Sequence, residues 1–148
     1  MRGFSFVEVI VVVALLGLLV SVGTAVSFDY LNNQQLRVAG ETIFDTLKQA
    51  QADADSQTDA ESFGVKILPN QTIEFQGTSY TARTPSKDRT FDLPLTVTIP
   101  AASEVVFQPV SPFPVQATTL TIQNDRTAID ISINAYGLME KTERAINN

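Results

Sequence analysis

Glu8 is the last charge before a long apolar run. The order there is Gly3-Phe4-Ser5-Phe6-Val7-Glu8, and from Val9 to Phe28, 20 residues, there is no charge, proline or side-chain amide. A carboxylate beside such a run needs a cation to meet it, because an ion covered by apolar groups is costly. The plainer reading is a helix flank, where a carboxylate favours the positive end of the helix dipole. A second set of candidates is Arg83, Lys87 and Arg89, which gather around the loop Thr84–Arg89. Three basic residues in one loop could touch an anionic polymer such as DNA, but a solvated basic loop is the expected reading. A third is the alternating acids of Asp53-Ala54-Asp55-Ser56-Gln57-Thr58-Asp59-Ala60-Glu61. Counted from Asp53 as a calcium loop, the turn position is Thr58 rather than glycine, and position twelve is Gly64 rather than glutamate. The template fails, so a solvated acidic loop and no metal are expected.

The chain contains no His and no Cys. That removes the usual zinc sites, the common nucleophile–base pairs and any disulfide staple. Nothing gathers an acid, a base and a nucleophile at a readable spacing, so no enzyme activity and no cofactor are expected. Net charge is −6 and the pI about 4.5. No basic stripe is visible, so nucleic acid is not an expected partner of the domain as a whole.

The elements that must position these residues begin with one helix. Twenty apolar residues rise about 30 Å, the thickness of a hydrocarbon core, and so read as a transmembrane segment. Arg2 and the initiator amine precede it and Asp29 follows it, which predicts a cytoplasmic N-terminus and an exported C-terminal domain. Beyond it Leu31, Leu36, Ala39, Ile43, Leu47, Ala50 and Ala54 recur at helical spacing, widened by Val38 and Phe44. This predicts that the helix continues, with one apolar side on a packed domain. Gly40 falls in that half, where close packing on a sheet is expected.

From Phe63 the texture changes to short β-prone runs separated by turn residues. Strands are expected at Ser62–Leu68, Thr72–Phe75, Ser79–Arg83, Thr90–Leu93, Leu95–Ile99, Glu104–Phe107, Ala117–Gln123 and Ala128–Asn134. Gln76-Gly77-Thr78 and Asn124-Asp125-Arg126 are the expected hairpin turns. After Ala135-Tyr136-Gly137-Leu138-Met139 a polar, mobile tail is expected. The predicted core is Phe63, Val65, Ile67, Ile73, Phe75, Val97, Ile99, Val106, Phe107, Leu120, Ile122, Ile129, Ile131 and Ile133. No helix-length segment separates the strands, so the pattern predicts α+β rather than α/β. The expected architecture is a long N-terminal helix, transmembrane in its first half and amphipathic in its second, packed on an antiparallel β-sandwich-like domain.

The N-terminal residues resemble the type IV prepilin family, which includes type IV pilins and the pseudopilins of type II secretion. The family signature is a short leader ending in Gly, then Phe, then a small or hydroxyl residue and apolar residues, with Glu fifth in the mature chain. Here these are Gly3, Phe4, Ser5 and Glu8. The resemblance implies that an inner-membrane prepilin peptidase cuts between Gly3 and Phe4 and methylates the Phe4 amine. A three-residue leader is shorter than most in the family, which points to an upstream start. The segments are then 1–3 leader, 4–28 transmembrane and assembly helix, 29–57 amphipathic helix, and 58–148 β-rich exported domain.

Cleavage there places a cationic amine at the end of an apolar helix. When such helices pack side by side, the Phe4 amine of one subunit can meet the Glu8 carboxylate of its neighbour, and this ion pair sets an axial register. The later stretches Ala50-Gln51-Ala52, Phe63-Gly64-Val65, Val105-Val106-Phe107 and Ile129-Asp130-Ile131-Ser132-Ile133, ending at Gly137, resemble the minor pseudopilins and minor pilins of GspH/FimT type. The resemblance implies a single-pass inner-membrane protein that passes into a filament. Its implied partners are the prepilin peptidase, other pilin or pseudopilin subunits, the inner-membrane assembly platform and, before assembly, membrane lipid. The alternative gives the same anchor a pilus-tip adhesive or DNA-binding domain for attachment or DNA uptake. Its candidate surfaces are Arg83, Lys87 and Arg89, and the proline-rich loop Gln108–Pro114.

Overall fold

The computed structural model describes residues 5–56 and 61–146, the side chains of residues 22–27 excepted. One helix, α1 (Phe6–Asp55), runs unbroken for 50 residues, about 75 Å. Among the described residues no helix is long and apolar enough to cross a membrane. The expected transmembrane half, and the single-pass inner-membrane location drawn from it, are therefore overturned. The α+β class holds.

Seven strands follow: β1 (Phe63–Leu68), β2 (Gln71–Gln76), β3 (Arg89–Asp92), β4 (Ser103–Phe107), β5 (Thr118–Gln123), β6 (Thr127–Ile133) and β7 (Met139–Ala145). They form two antiparallel sheets, ordered β3-β2-β1-β4 and β5-β6-β7. One apolar cluster joins α1 to both. Leu36, Ala39, Ile43, Leu47, Ala50 and Ala54 lie fully buried along one stripe of the helix, against Val65, Ile67, Val105 and Phe107 of the first sheet and Leu120, Ile122, Ile129, Ile131 and Ile133 of the second. Gly40 belongs to this contact: a Cβ there would sit 3.1 Å from Ile129 Cδ1.

Several expectations shift. Leu31 and Val38 were expected on the domain side of the helix and are exposed. In β4 the buried positions are Val105 and Phe107, with Val106 only half-buried. Residues two apart share a face, so a single-residue register error exchanges the set. The first hairpin turns at Pro69-Asn70, and Gln71 already pairs with Leu68. Ser79–Arg83 is not a strand. Ser79 Oγ accepts the Ala82 N–H and caps a short 3₁₀ turn at Tyr80–Ala82, and a second such turn follows at Pro85–Lys87. Leu95–Ile99 is not a strand either. Prolines bound it, and only Thr98 pairs, exchanging both backbone bonds with Gln123 at 2.7 and 2.9 Å.

The expected mobile tail is instead β7, paired with β6 from Met139 to Ala145. Its sequence hides it, because ions take the place of apolar alternation. Lys141 pairs with Glu41, and Arg37 Nη2 donates to Glu143 Oε1 at 3.1 Å, both partners on α1. On the other face Arg144 Nε donates to Asp130 Oδ2 at 2.7 Å. The Thr121 hydroxyl and Arg144 together hold the Asp130 carboxyl below its usual range.

Gly64 is fixed by its neighbours. A Cβ there would lie 2.5 Å from Phe75 Cζ and 2.8 Å from the Val105 carbonyl oxygen. The backbone oxygen cannot swing away as a side chain does, so β1 and β4 must separate. Gly64→Ala is expected to destabilise the protein by about 1–3 kcal/mol, read as a Tm lowered by several degrees in thermal unfolding. An unchanged Tm would contradict this packing.

Candidate functional site

The candidate residues fall at two places. Gly3 and Phe4 lie outside the described residues. Glu8 stands exposed in the first turn of α1, where its backbone N–H bonds the Ser5 carbonyl at 3.0 Å. Around and beyond it the helix is apolar on every side. The 12 large apolar residues between Phe6 and Val20 are each 50–79% exposed. The chain's own domain covers none of them, since the buried stripe begins only at Leu36. A row of large apolar side chains this continuous marks a surface made to be covered.

The second place is the basic loop. Tyr80 is set by its 3₁₀ turn, and Arg83 folds back over it. The guanidinium lies 3.8 Å from the Tyr80 ring centroid, its Nη1 donates to the Tyr80 carbonyl at 2.7 Å, and its Nε donates to Asp88 Oδ2 at 2.8 Å. The bond to Asp88 raises the Arg83 pKa further. Arg89, at the start of β3, reaches across to α1: its Nη1 lies 3.1 Å from Asp53 Oδ2 and 3.4 Å from Glu74 Oε2. Lys87 joins Asp53, Glu74 and Arg89 around a cleft of about 350 Å³ walled by Phe63 and Phe75. Arg83 and Arg89 are thus tied to carboxylates of their own chain, and both basic side chains act first as struts.

Residues 57–60 of the acidic loop lie outside the described residues, and Asp53, its first acid, faces Arg89. Among the described residues no group of three His, Cys, Asp or Glu is placed to hold a metal ion.

Sequence reasoning missed Glu74. The signal was present: β2 is buried on both faces from Thr72 to Gln76, and a carboxylate in the middle of such a strand must be held by something. Burial pushes its pKa up to about 7, against the pull of Arg89, and the neighbouring Asp53 carboxyl adds to the rise. Two carboxylates share one guanidinium nitrogen here, and a proton on Glu74 relieves the excess negative charge.

Compared with protein-family models, curated proteins and solved structures, the chain matches none.

Because the folded-state pKa of Glu74 lies above its ordinary value, the folded protein holds that proton more tightly than the unfolded chain. The stabilisation is complete below about pH 4.5 and is lost as pH rises through about 7. Glu74→Gln keeps the neutral form at every pH. Its expected effect is a Tm raised by about 3–6 °C at pH 8 and little changed at pH 4.5. Thermal unfolding across that range checks it, and a variant with an unaltered pH slope would overturn the assignment.

Proposed function

We propose that this chain is a structural subunit, of minor pilin or pseudopilin kind, in a type IV pilus-like or type II secretion-like filament. One observation supports the reading above the others: the first part of α1 is a rod of exposed apolar side chains with Glu8 at its start. Covering that rod with like helices removes large apolar areas from water, at roughly 25 cal/mol per Å². The Gly3-Phe4 junction and the offset of Glu8 are the features a prepilin peptidase would act on and a neighbouring subunit would read. On this reading the partners are that peptidase and other subunits of the same type. The adhesive or DNA-binding alternative draws less support, because Arg83 and Arg89 are engaged within their own chain.

Mass spectrometry of the mature protein, from cells with an active maturation peptidase, is expected to show loss of Met1–Gly3 and one methyl group on Phe4. Recovery of the chain with its first three residues intact would refute the reading. In the same cells Glu8→Ala is expected to be cleaved normally but to enter filaments at least tenfold less well, since it leaves a buried amine unpaired. Undiminished incorporation would remove the role of the charge pair.

A further inference from the structure

The helix-facing side of β2 is polar where a core strand is ordinarily apolar. Thr72, Glu74 and Gln76 lie two apart and so share one face of the strand. They stand opposite Ile67, Val65 and Phe63 of β1, and Ile67 and Val65 belong to the core under α1. All three polar residues are buried, at 0, 3 and 6% exposed. Burying such groups without partners costs stability. Two of them, Glu74 and Gln76, line the cleft of about 350 Å³ at the end of α1.

The acidic groups of that cleft already have partners. Gln49 Nε2 donates to Asp53 Oδ1 at 3.0 Å, and Arg89 Nη1 donates to Asp53 Oδ2 at 3.1 Å, so both oxygens of this carboxylate are engaged. Glu74 Oε2 lies 3.4 Å from the same guanidinium nitrogen, and burial favours its neutral form. What remains is donors. Among the described residues no bond reaches the Gln76 side-chain amide, nor Nε and Nη2 of Arg89. Nε and Nη2 form one edge of a planar fork whose N–H groups match the two oxygens of a carboxylate. Lys87 adds a second cation to the lining, and Phe63 an apolar wall. An amine would meet two like charges there. A phosphate group would bring up to two negative charges beside Asp53. A carboxylate matches the fork and brings one.

We propose that this cleft is a binding site for an organic carboxylate on a short apolar body. The Nε–Nη2 edge of Arg89 takes its two oxygens, the Gln76 amide donates to one of them, and Phe63 covers the body. A cleft of this volume, with an apolar wall and a few convergent polar groups, is of the size small ligands occupy. Its residues all lie between Asp53 and Arg89, apart from the rod, so the site stands independently of the filament reading.

Glu74 couples the site to pH. The charged groups that face it are Asp53 from α1, Arg89 from β3 and Lys87 from the turn before β3; β1 presents Phe63 and Val65 on this face. A bound carboxylate adds a negative charge to this set and favours the proton on Glu74. Binding is therefore tightest below about pH 7 and weakens as that proton leaves.

Isothermal titration of the full chain, held in neutral-detergent micelles, tests the site with 3-phenylpropionate as the probe and its amide, 3-phenylpropionamide, as the control. The expected result is saturable binding of the acid at pH 6 with a Kd below about 1 mM, roughly tenfold weaker at pH 8.5, and no detectable binding of the amide. Glu74→Gln is expected to bind the acid equally at both pH values. Gln76→Met, close in volume, is expected to keep its Tm and to bind roughly tenfold more weakly. No saturable binding at pH 6, or equal binding of acid and amide, would overturn the site. So would a pH slope unaltered by Glu74→Gln, or full affinity in a folded Gln76→Met chain. The comparison of acid with amide is made on the unaltered chain, so it decides the matter whether or not the variants fold.

Discussion

One stripe of α1, from Leu36 to Ala54, organises the domain. Its six fully buried residues are spaced so that each turn of the helix offers one small or branched side chain to the sheets. Three are alanines, and Gly40 lies beside them, which lets Ile122 and Ile129 approach closely. The two sheets make no shared strand order; the helix is what joins their apolar faces into a single core.

Polar contacts then fix where each sheet sits along the helix. Arg126 pairs with Asp29 at 2.5 Å, and Asn124 donates to Asn33 at 2.9 Å, locating the β5–β6 turn at the start of the domain. Lys141 and Glu143 place β7 at the middle. Gln51 locates the proline-rich loop and the β6–β7 turn at the far end, and Asp53 with Arg89 ties β3 to the last turn. Exposed pairs of this kind contribute little individually. Their value lies in their distribution, one set for each level of the helix, which opposes sliding of either sheet along an otherwise uniform apolar stripe.

The sequence showed clearly what depends on periodicity. The helical stripe, the class, and strands β1, β2, β5 and β6 all carry apolar residues at regular spacing, and each lies within a residue or two of its expected position. What escaped depends on partners far away in the chain. β7 reads as a tail because its inward positions, Lys141 and Glu143, are satisfied by Glu41 and Arg37, about 100 residues earlier. Ser79–Arg83 alternates like a strand, yet Ser79 and Arg83 each bond the local backbone and curl it. Leu31 and Val38 have the right spacing for the core but lie on the outer side of the helix, which spacing alone cannot distinguish. At the candidate sites, the rod was visible in composition, whereas the triad of Asp53, Glu74 and Arg89 required the fold to bring a helix end, a central strand and an edge strand together.

The same arrangement constrains how the rod can be covered. Nearly all the chain's charges lie in the domain half, many in pairs that leave no net demand on a neighbour. Glu8 differs. It is the one carboxylate on the apolar half, and it stands in the first turn of a helix whose large neighbours are all exposed. Any assembly that buries those neighbours buries Glu8 with them, and an unpaired ion there opposes assembly by several kcal/mol. Apolar contact alone permits a rod to slide along another with little change in energy, because every position offers Val or Leu. A single ion that must find a single cation removes that freedom. On the proposed reading the cation is the Phe4 amine of a neighbouring subunit, freed by cleavage, so one covalent event both creates the partner charge and sets the stagger at which two subunits can meet.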